Sequence, residues 1–390
     1  MKKIALIHHT GELGGGTKSL VDLAKMLCDQ YEIVICVPKG SLFEAGFVKG
    51  RIKVHGMESG IPYLNFFSGS SPLISKASLN SLRSLFQITD FCNEIKKLEP
   101  DLVLFNSIVT SVSSLKLNKI KCAVIDRETM TNPLYIKLYN RIINKNIRGI
   151  AFLCRYEKNK FLLRKDMIRA IIPDCVPKED FIHLEEVMDM PENGTYKALY
   201  MGGSSSLKGA HTVLKAATKL NEKIIIIIAG KFDVKRFSKK NILKHIYNPA
   251  FCIHLMKLSR AYEKVKNSKN VVFVGLRANI YPLIKKSDIV IFPSSKAHQP
   301  RPCIEAGYFK KPVLISDFKE TQEYFKDGYN AFTFKPNSAA DLVRCIRYAY
   351  GHRNEMEVMG RHNFEMSMEF HDYEKTKVKL NHFIGLILKK

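Results

Sequence analysis

No stretch of this chain approaches the ~18 consecutive apolar residues of a membrane-spanning helix, so no bilayer crossing is predicted. Its nine cysteines include no C-x-x-C pair, and an odd number cannot all be paired within one chain. That pattern excludes a disulfide framework and a zinc knuckle, and it predicts reduced thiols in a cytoplasmic protein. Several of the cysteines lie in apolar runs, where a thiol behaves as a small hydrophobe, and no catalytic thiol is expected. The N-terminus, MKKIALIHHTGELGG, has only a short apolar run after its two lysines, too short for a signal peptide, and is predicted to be a first β-strand. Acid is scarce as well: 37 Asp and Glu face 62 Lys and Arg, a formal charge of +25. Such an excess points to an anionic partner. Nucleic acid, an anionic membrane face and a phosphorylated small molecule all qualify, and a solvated lysine-rich surface accounts for part of it.

What is present is an ordinary globular composition, 46% apolar and 25% charged, in 390 residues, too many for one hydrophobic core. Short apolar runs recur, each followed by a helical or turn-rich stretch. KIALIHH, EIVICVP, LVLFNS, KCAVIDRE and GIAFLC fill the first half; KALYMGG, KIIIIIAG, VVFVGL, DIVIFPS and KPVLISD fill the second. Continuous rather than alternating runs suit strands covered on both faces, and their alternation with helices predicts two α/β doubly wound parallel-sheet domains. The proline- and acid-rich stretch IPDCVPKEDFIHLEEVMDMPENG predicts a linker over 177–194, between a domain of 1–176 and one of 195–366. Helical spacing in the last segment predicts a helix within 367–390 that returns to the first domain. Residues 231–269 are long for a connection between strands, basic, and apolar at helical spacing. They fit either an added helical pair over a sheet edge or a helix for a membrane surface or a partner.

Three segments could carry chemistry. GELGGGTKSL, residues 11–20, follows a strand and precedes a helical pattern. It is not a P-loop, since Thr17 intervenes before Lys18 and Ser19. Gly15 and Gly16 still allow a ligand close to the backbone at a helix N-terminus, although a plain tight turn is the other reading. In the second domain, KALYMGGSSSLKGAHTVL places Gly203, Ser204 and Lys208 between a strand and a helix, either as a diphosphate cradle or as a serine-capped helix start. The third segment, SSKAHQPRPCIEAGY, follows the strand DIVIFP, and ligands of open α/β sheets sit beyond the carboxyl ends of strands. Prolines 300 and 302 stiffen it, placing His298, Gln299 and Arg301 in one geometry. Cys303, Ile304 and Glu305 begin a helix whose amides favour an anion. Glu305 either satisfies the helix dipole or holds the hydroxyls of a ribose.

The stretch PSSKAHQPRPCIEAGYFKKPVLISDFKETQEYF resembles the one in family 4 glycosyltransferases of the GT-B fold (glycosyl transferases group 1) that usually reads P-S-x-x-E-G-F-G-x-x-x-x-E-A-x-A-x-G-x-P-V, then S-D and P-E. The second family glutamate falls on Glu305, the lysine-glycine of the diphosphate loop on Lys208-Gly209, and the N-terminal glycine loop on Gly14 to Gly16. The first family glutamate falls on Ala297, and G-F-G becomes His298, Gln299 and Pro300. An arginine usual in the diphosphate loop becomes Gly203, and the strand-end histidine of the first domain becomes Arg127, followed by Glu128. The chain is thus similar to a divergent HQPRPxxEAG branch.

The resemblance implies two Rossmann-like domains facing a cleft, with transfer of a sugar from a nucleotide-sugar donor to a saccharide or lipid-linked acceptor. Transfer would proceed with retention, without metal or other cofactor, in cell-surface polysaccharide or glycolipid synthesis. The implied roles give Lys208 and the 303–305 amides to the diphosphate, Glu305 to the ribose, and His298, Gln299 and Arg301 to the sugar or its phosphate. Arg127 would reach the sugar or acceptor from the first domain. No D-x-D motif in a suitable setting appears, consistent with metal independence. YIKLYNRIINKNIRGI and PYLNFFSGSSP, both basic or aromatic, mark the acceptor side and would suit the inner face of an anionic membrane. Two other readings remain open. One is a GT-B epimerase acting on UDP-N-acetylglucosamine; the other is a basic module for single-stranded nucleic acid, which leaves the 296–308 loop unexplained.

Overall fold

The computed structural model describes residues 1–11, 15–41, 51–64, 76–176, 194–221, 223–232, 249–277 and 279–389. Most of the expected linker, part of the N-terminal glycine loop, most of the PYLNFFSGSSP segment and residues 233–248 lie outside them. Two compact units are present: Met1–Pro177 with Asp372–Lys390, and Lys178–His371. Each is a parallel-sheet, Rossmann-like α/β domain.

The first unit is built on seven strands: β1 (Lys3–Ile7), β2 (Glu32–Pro38), β3 (Ile52–Met57), β4 (Leu102–Phe105), β5 (Lys121–Asp126), β6 (Ile147–Phe152) and β7 (Ile168–Ile171). They pair in the order β3-β2-β1-β4-β5-β6-β7, and every pairing is parallel. β1, β4 and β5 are buried almost throughout, as their continuous apolar runs require for strands covered on both faces. Helices α1 (Gly15–Leu27), α2 (Lys76–Ser84), α3 (Ile88–Lys97), α4 (Pro133–Asn146) and α5 (Arg155–Lys158) connect them. One face of the sheet packs with Phe91 and Ile95 of α3 and with Tyr139, Ile142 and Ile143 of α4. The other packs with Leu20, Leu23 and Leu27 of α1 and with Leu380, Phe383 and Ile387 of the C-terminal helix Tyr373–Lys389.

The second unit has six strands: β8 (Tyr196–Tyr200), β9 (Ile224–Ala229), β10 (Val271–Gly275), β11 (Ile289–Phe292), β12 (Val313–Ser316) and β13 (Phe332–Phe334). Their order is β10-β9-β8-β11-β12-β13, again wholly parallel. Its helices are α6 (Ala210–Ala217), α7 (Pro249–Val265), α8 (Tyr281–Lys286), α9 (Arg301–Tyr308), α10 (Ala339–Gly351) and α11 (Arg353–Phe370), and α12 is the Tyr373–Lys389 helix of the first unit. α7 is the helix among the described residues of the 231–269 insertion. Leu255, Leu258, Ala261 and Val265 enter the core, and Tyr262 packs edge-on against Phe273 of the edge strand β10, so this helix covers the sheet.

In both sheets the strand order reverses once, between β1 and β4 and between β8 and β11. In open α/β sheets ligands bind beyond the carboxyl ends of the strands at such a reversal.

Candidate donor site and the crevice of the first unit

In the second unit the loops after β8 and β11 are joined to each other. Ser295 N donates to Leu207 O at 2.8 Å and Ser295 Oγ to Ser206 O at 2.9 Å. Gly209 forms the N-cap of α6 with φ +78°, and a Cβ placed there would lie 1.8 Å from Pro293 O. Only glycine allows this approach, in torsion and in space. It brings Lys208 beside the loop that leads into α9.

Lys208 is half-buried. Burial pulls its ammonium below the ordinary lysine pKa, and nearby Glu305 opposes that shift. Glu305 is 6% exposed and accepts from Arg301 Nε at 3.2 Å, one helical turn away. Arg301 is thus paired with Glu305, and Lys208 lies within electrostatic reach of the same carboxylate. An anion entering from the carboxyl ends would meet net positive charge there.

The other residues expected at this site are more committed to the fold. Gly203 has φ +52°, its N–H donates to Ala229 O at 2.9 Å, and a Cβ would lie 2.4 Å from Lys231 O. Ser204 donates to Lys231 O from N at 3.1 Å and from Oγ at 3.3 Å, and Ser205 Oγ accepts from Lys208 N at 3.3 Å. The donors expected to cradle phosphate at Gly203 and Ser204 instead fasten their loop to the one after β9. A second correction concerns α9. Cys303 N and Ile304 N both donate to Pro300 O, at 2.8 and 3.3 Å, because the first turn tightens and closes on its own carbonyl. Neither amide is left for a ligand, and both side chains are in the core. α9 is also clamped by α11, where Asn363 Nδ2 donates to Cys303 O at 3.4 Å and to Lys311 O at 3.0 Å. His298 is half-buried with its ring stacked on Phe292, 6.1 Å between centroids, and Gln299 is half-buried beside it.

In the first unit, Gly15 opens α1, and Gly16 lies against His8, where an added Cβ would be 3.5 Å from Cε1. That is an ordinary contact, so the fold itself does not demand glycine at 16. Arg127 follows β5 and is held on two sides: Nε donates to Asn106 Oδ1 at 2.7 Å, and the guanidinium pairs with Asp174. With Asn106 Oδ1 turned to Arg127, its Nδ2 faces His8 Nδ1 at 3.4 Å, and His8 Nε2 is left to donate to Thr10 Oγ1 at 2.8 Å. This fits a neutral imidazole. Burial, with His9 and Arg127 adding to it, lowers the His8 pKa to about 3. Near Arg127, burial raises the Glu128 carboxyl, which accepts from Ser107 Oγ at 3.1 Å.

The line Thr10–His8–Asn106–Arg127 occupies the carboxyl ends of β1, β4 and β5, and Asp174 joins it from the segment after β7. Sequence reasoning placed only Arg127 there. The available signal was a histidine ending β1 and an asparagine ending β4, the two strands that flank the reversal. Among the described residues no group of three or more His, Cys, Asp or Glu side chains could hold a metal ion.

Residues 190–366 match the glycosyl transferases group 1 family. Solved structures with the same architecture include sucrose-phosphate synthase of Thermosynechococcus elongatus, at TM-score 0.74 and 14% identity over 100% of both chains. HepE of Anabaena, solved with UDP and glucose, superposes at TM-score 0.72 and 15% identity over 99% of this chain and 100% of that one. The two parallel-sheet units thus have the GT-B architecture of these structures, and residues 190–366 match the glycosyl transferases group 1 domain. A curated relative, the N,N'-diacetylbacillosaminyl-diphospho-undecaprenol alpha-1,3-N-acetylgalactosaminyltransferase of Campylobacter jejuni, is 27% identical over 139 residues. That match spans 36% of this chain and 31% of the relative.

Proposed function

We propose that this protein transfers a sugar from a nucleotide-sugar donor to a saccharide or lipid-linked acceptor, with retention and without a metal, in the synthesis of a cell-surface polysaccharide or glycolipid. The observation that carries the reading is the placement of Lys208 and Glu305 within electrostatic reach of each other at the strand-order reversal of the matched domain. The leaving group of such a transfer is a nucleoside diphosphate, so the main task is to stabilise its developing charge. A lysine ~4 Å from a phosphate oxygen contributes on the order of 4 kcal/mol at an effective dielectric of 20, and the N-terminus of α6 adds about 0.3–2 kcal/mol. Together these supply charge that a metal would otherwise bring.

With the 303 and 304 amides engaged by Pro300, Lys208 and the start of α6 become the diphosphate ligands. Glu305, oriented by Arg301, takes the ribose hydroxyls, and His298 and Gln299 line the sugar. In retaining transfer of this kind the leaving phosphate deprotonates the acceptor hydroxyl on the same face, so no enzymic nucleophile is required. Two similar proteins support the substrate classes: HepE was solved with UDP and glucose, and the Campylobacter relative is an N-acetylgalactosaminyltransferase with an undecaprenol-linked acceptor.

The test is a panel of UDP-, GDP-, ADP- and CMP-sugars, with and without chelator, scored for slow hydrolysis and thermal protection. One nucleotide class should protect, chelator should not abolish hydrolysis, and Lys208→Ala and Glu305→Ala should each lose protection. Undiminished protection in both variants would move the donor site elsewhere. Conversion of free UDP-N-acetylglucosamine without any acceptor would favour the epimerase reading.

A further inference from the structure

We infer that two buried carboxyl groups, Asp126 and Glu157, keep one proton beside Lys160, and that this proton locks the turn carrying Arg127 and Glu128 until alkali removes it. The consequence for sugar transfer rests on the proposed function; the lock itself does not.

Asp126 ends β5, and Glu157 lies in α5, just past the end of β6, where Phe152 pairs with Asp126. Each is 2% exposed. Glu157 has a cation: Lys160 Nζ is 2.9 Å from its Oε1, and the ring of Tyr156 covers the same ammonium at 4.7 Å. Among the described residues no cation pairs with Asp126, whose Oδ1 accepts from Glu128 N at 3.0 Å and whose Oδ2 is buried without a hydrogen bond. A carboxylate so enclosed is strongly disfavoured, and the group is neutralised by taking up a proton. Burial accordingly pushes the Asp126 carboxyl well above the ordinary aspartate range, and the charge of Glu157 adds to it. Glu128 on the turn adds further, Lys160 opposes, and Tyr139 of α4 lies within reach. Arg127, the next residue, is turned to Asn106 and Asp174 instead. Three carboxyl groups thus surround one ammonium.

The acid pair is fastened to the turn at two points. Asp126 Oδ1 fixes Glu128 N, and Lys160 Nζ, held by Glu157, donates to Met130 O at 2.9 Å. The segment so held delivers Arg127 to Asn106 and Asp174, and Glu128 to Ser107 Oγ. With Asp126 neutral, both fastenings are compatible. Once it ionises, like charges push the Asp126 end of the turn away from the Glu157–Lys160 end, in a place where little water screens them. The strain is relieved by lifting the turn, and Arg127 and Glu128 leave with it. Asp126, Glu157 and Lys160 are therefore positioning residues, which act through the side chains on the turn.

Asp126→Asn is the decisive variant, because its amide keeps an acceptor oxygen for Glu128 N and cannot ionise. A group whose folded pKa is raised contributes stability below its unfolded value, about 3.9, and loses it as pH rises through the folded value. In urea unfolding of the full-length protein, the wild type should therefore weaken relative to Asp126→Asn above about pH 4, by up to about tenfold in the unfolding constant per pH unit. Infrared spectra near neutral pH should show a protonated-carboxyl band that Asp126→Asn lacks. Glu157→Gln removes the repelling charge and should move the titration of that band to lower pH, which decides the matter if Asp126→Asn does not fold. A stability gap flat with pH, absence of the band in the wild type, or a band that neither substitution changes would overturn the lock. Slow hydrolysis of the protecting sugar nucleotide should decline in alkali at lower pH in the wild type than in Asp126→Asn; coincident profiles would overturn the link to Arg127 and Glu128. The unfolding and infrared readings need no substrate, and UDP protection reports on the second unit, so failure of the lock and failure of the glycosyltransferase reading are distinguishable.

Discussion

Replacing Gly209 by alanine should damage the donor site without touching a charged residue. At φ +78° an L side chain costs about 1–2 kcal/mol in backbone strain. The new Cβ would also sit 1.8 Å from Pro293 O and 2.7 Å from Pro293 C, which are backbone atoms and cannot swing aside. Relieving that overlap moves one loop from the other and adds about 1–3 kcal/mol, the usual range for overpacking. The expected loss is about 2–5 kcal/mol. Gly275→Ala is the control, because Gly275 has φ +68° and nothing within 4 Å of an added Cβ, leaving only the torsional part. In urea unfolding followed by far-UV circular dichroism, with a slope of about 2 kcal/mol per molar, Gly209→Ala should lower the midpoint of the affected transition by about 1–2.5 M and the control by about 0.5–1 M. Protection by UDP should fall in Gly209→Ala, where Lys208 has been carried away from Glu305, and persist in the control. Equal midpoints for the two variants would refute the steric argument, and undiminished UDP protection in Gly209→Ala would refute its link to the site.

Other expectations concern charge. Lys208→Ala should weaken the protecting nucleotide about 30- to 1,000-fold by titration calorimetry, the equivalent of about 2–4 kcal/mol of lost Coulomb attraction. Because the folded-state pKa of Lys208 is depressed, nucleotide affinity should fall as pH rises through that lowered value, while Lys208→Arg should flatten the profile. Stability runs the other way: between the lowered pKa and the unfolded value the unfolded chain binds more protons, so this lysine makes the fold more stable as pH rises there. His8 is also depressed, to about 3 from 6.5, so below about pH 6.5 the unfolded chain takes up a proton that the folded one refuses. His8 alone should cost the first unit up to about 1.4 kcal/mol per pH unit on acidification toward pH 3, and His8→Gln should remove that share in pH-dependent urea titrations, leaving the share of His9, which burial lowers to about 4.

The parallel sheets were legible because ten buried runs of Val, Ile and Leu announce strands covered on both faces. The strands the sequence did not announce, β3, β7 and β13, are all at sheet edges. Lys53 and Arg169 are exposed there, and the apolar runs break up. At the candidate site, Lys208 and Glu305 could be named because each lies just past a strand end, next to glycine or proline. What could not be read was where the neighbouring donors spend their hydrogens. The closure of α9 on Pro300 O and the anchoring of Gly203 and Ser204 to residues 229–231 depend on backbone torsions set by packing. The His8–Asn106–Arg127–Asp174 line joins residues up to 98 positions apart, beyond any local pattern.

The serines beneath α2, Ser81 and Ser84, which donate to Tyr63 O at 2.8 and 3.2 Å, set how that helix is attached. Each hydroxyl contributes about 0.5–1.5 kcal/mol, and no large apolar side chain among the helix's described residues is driven inward from water. Detaching it thus exposes little oily surface, and the energy required is a small fraction of what melting the sheet takes. Its amides should exchange with deuterium early, well ahead of those in β1 and β4, so that this edge of the domain can reshape itself against whatever it meets while the strands beneath stay closed.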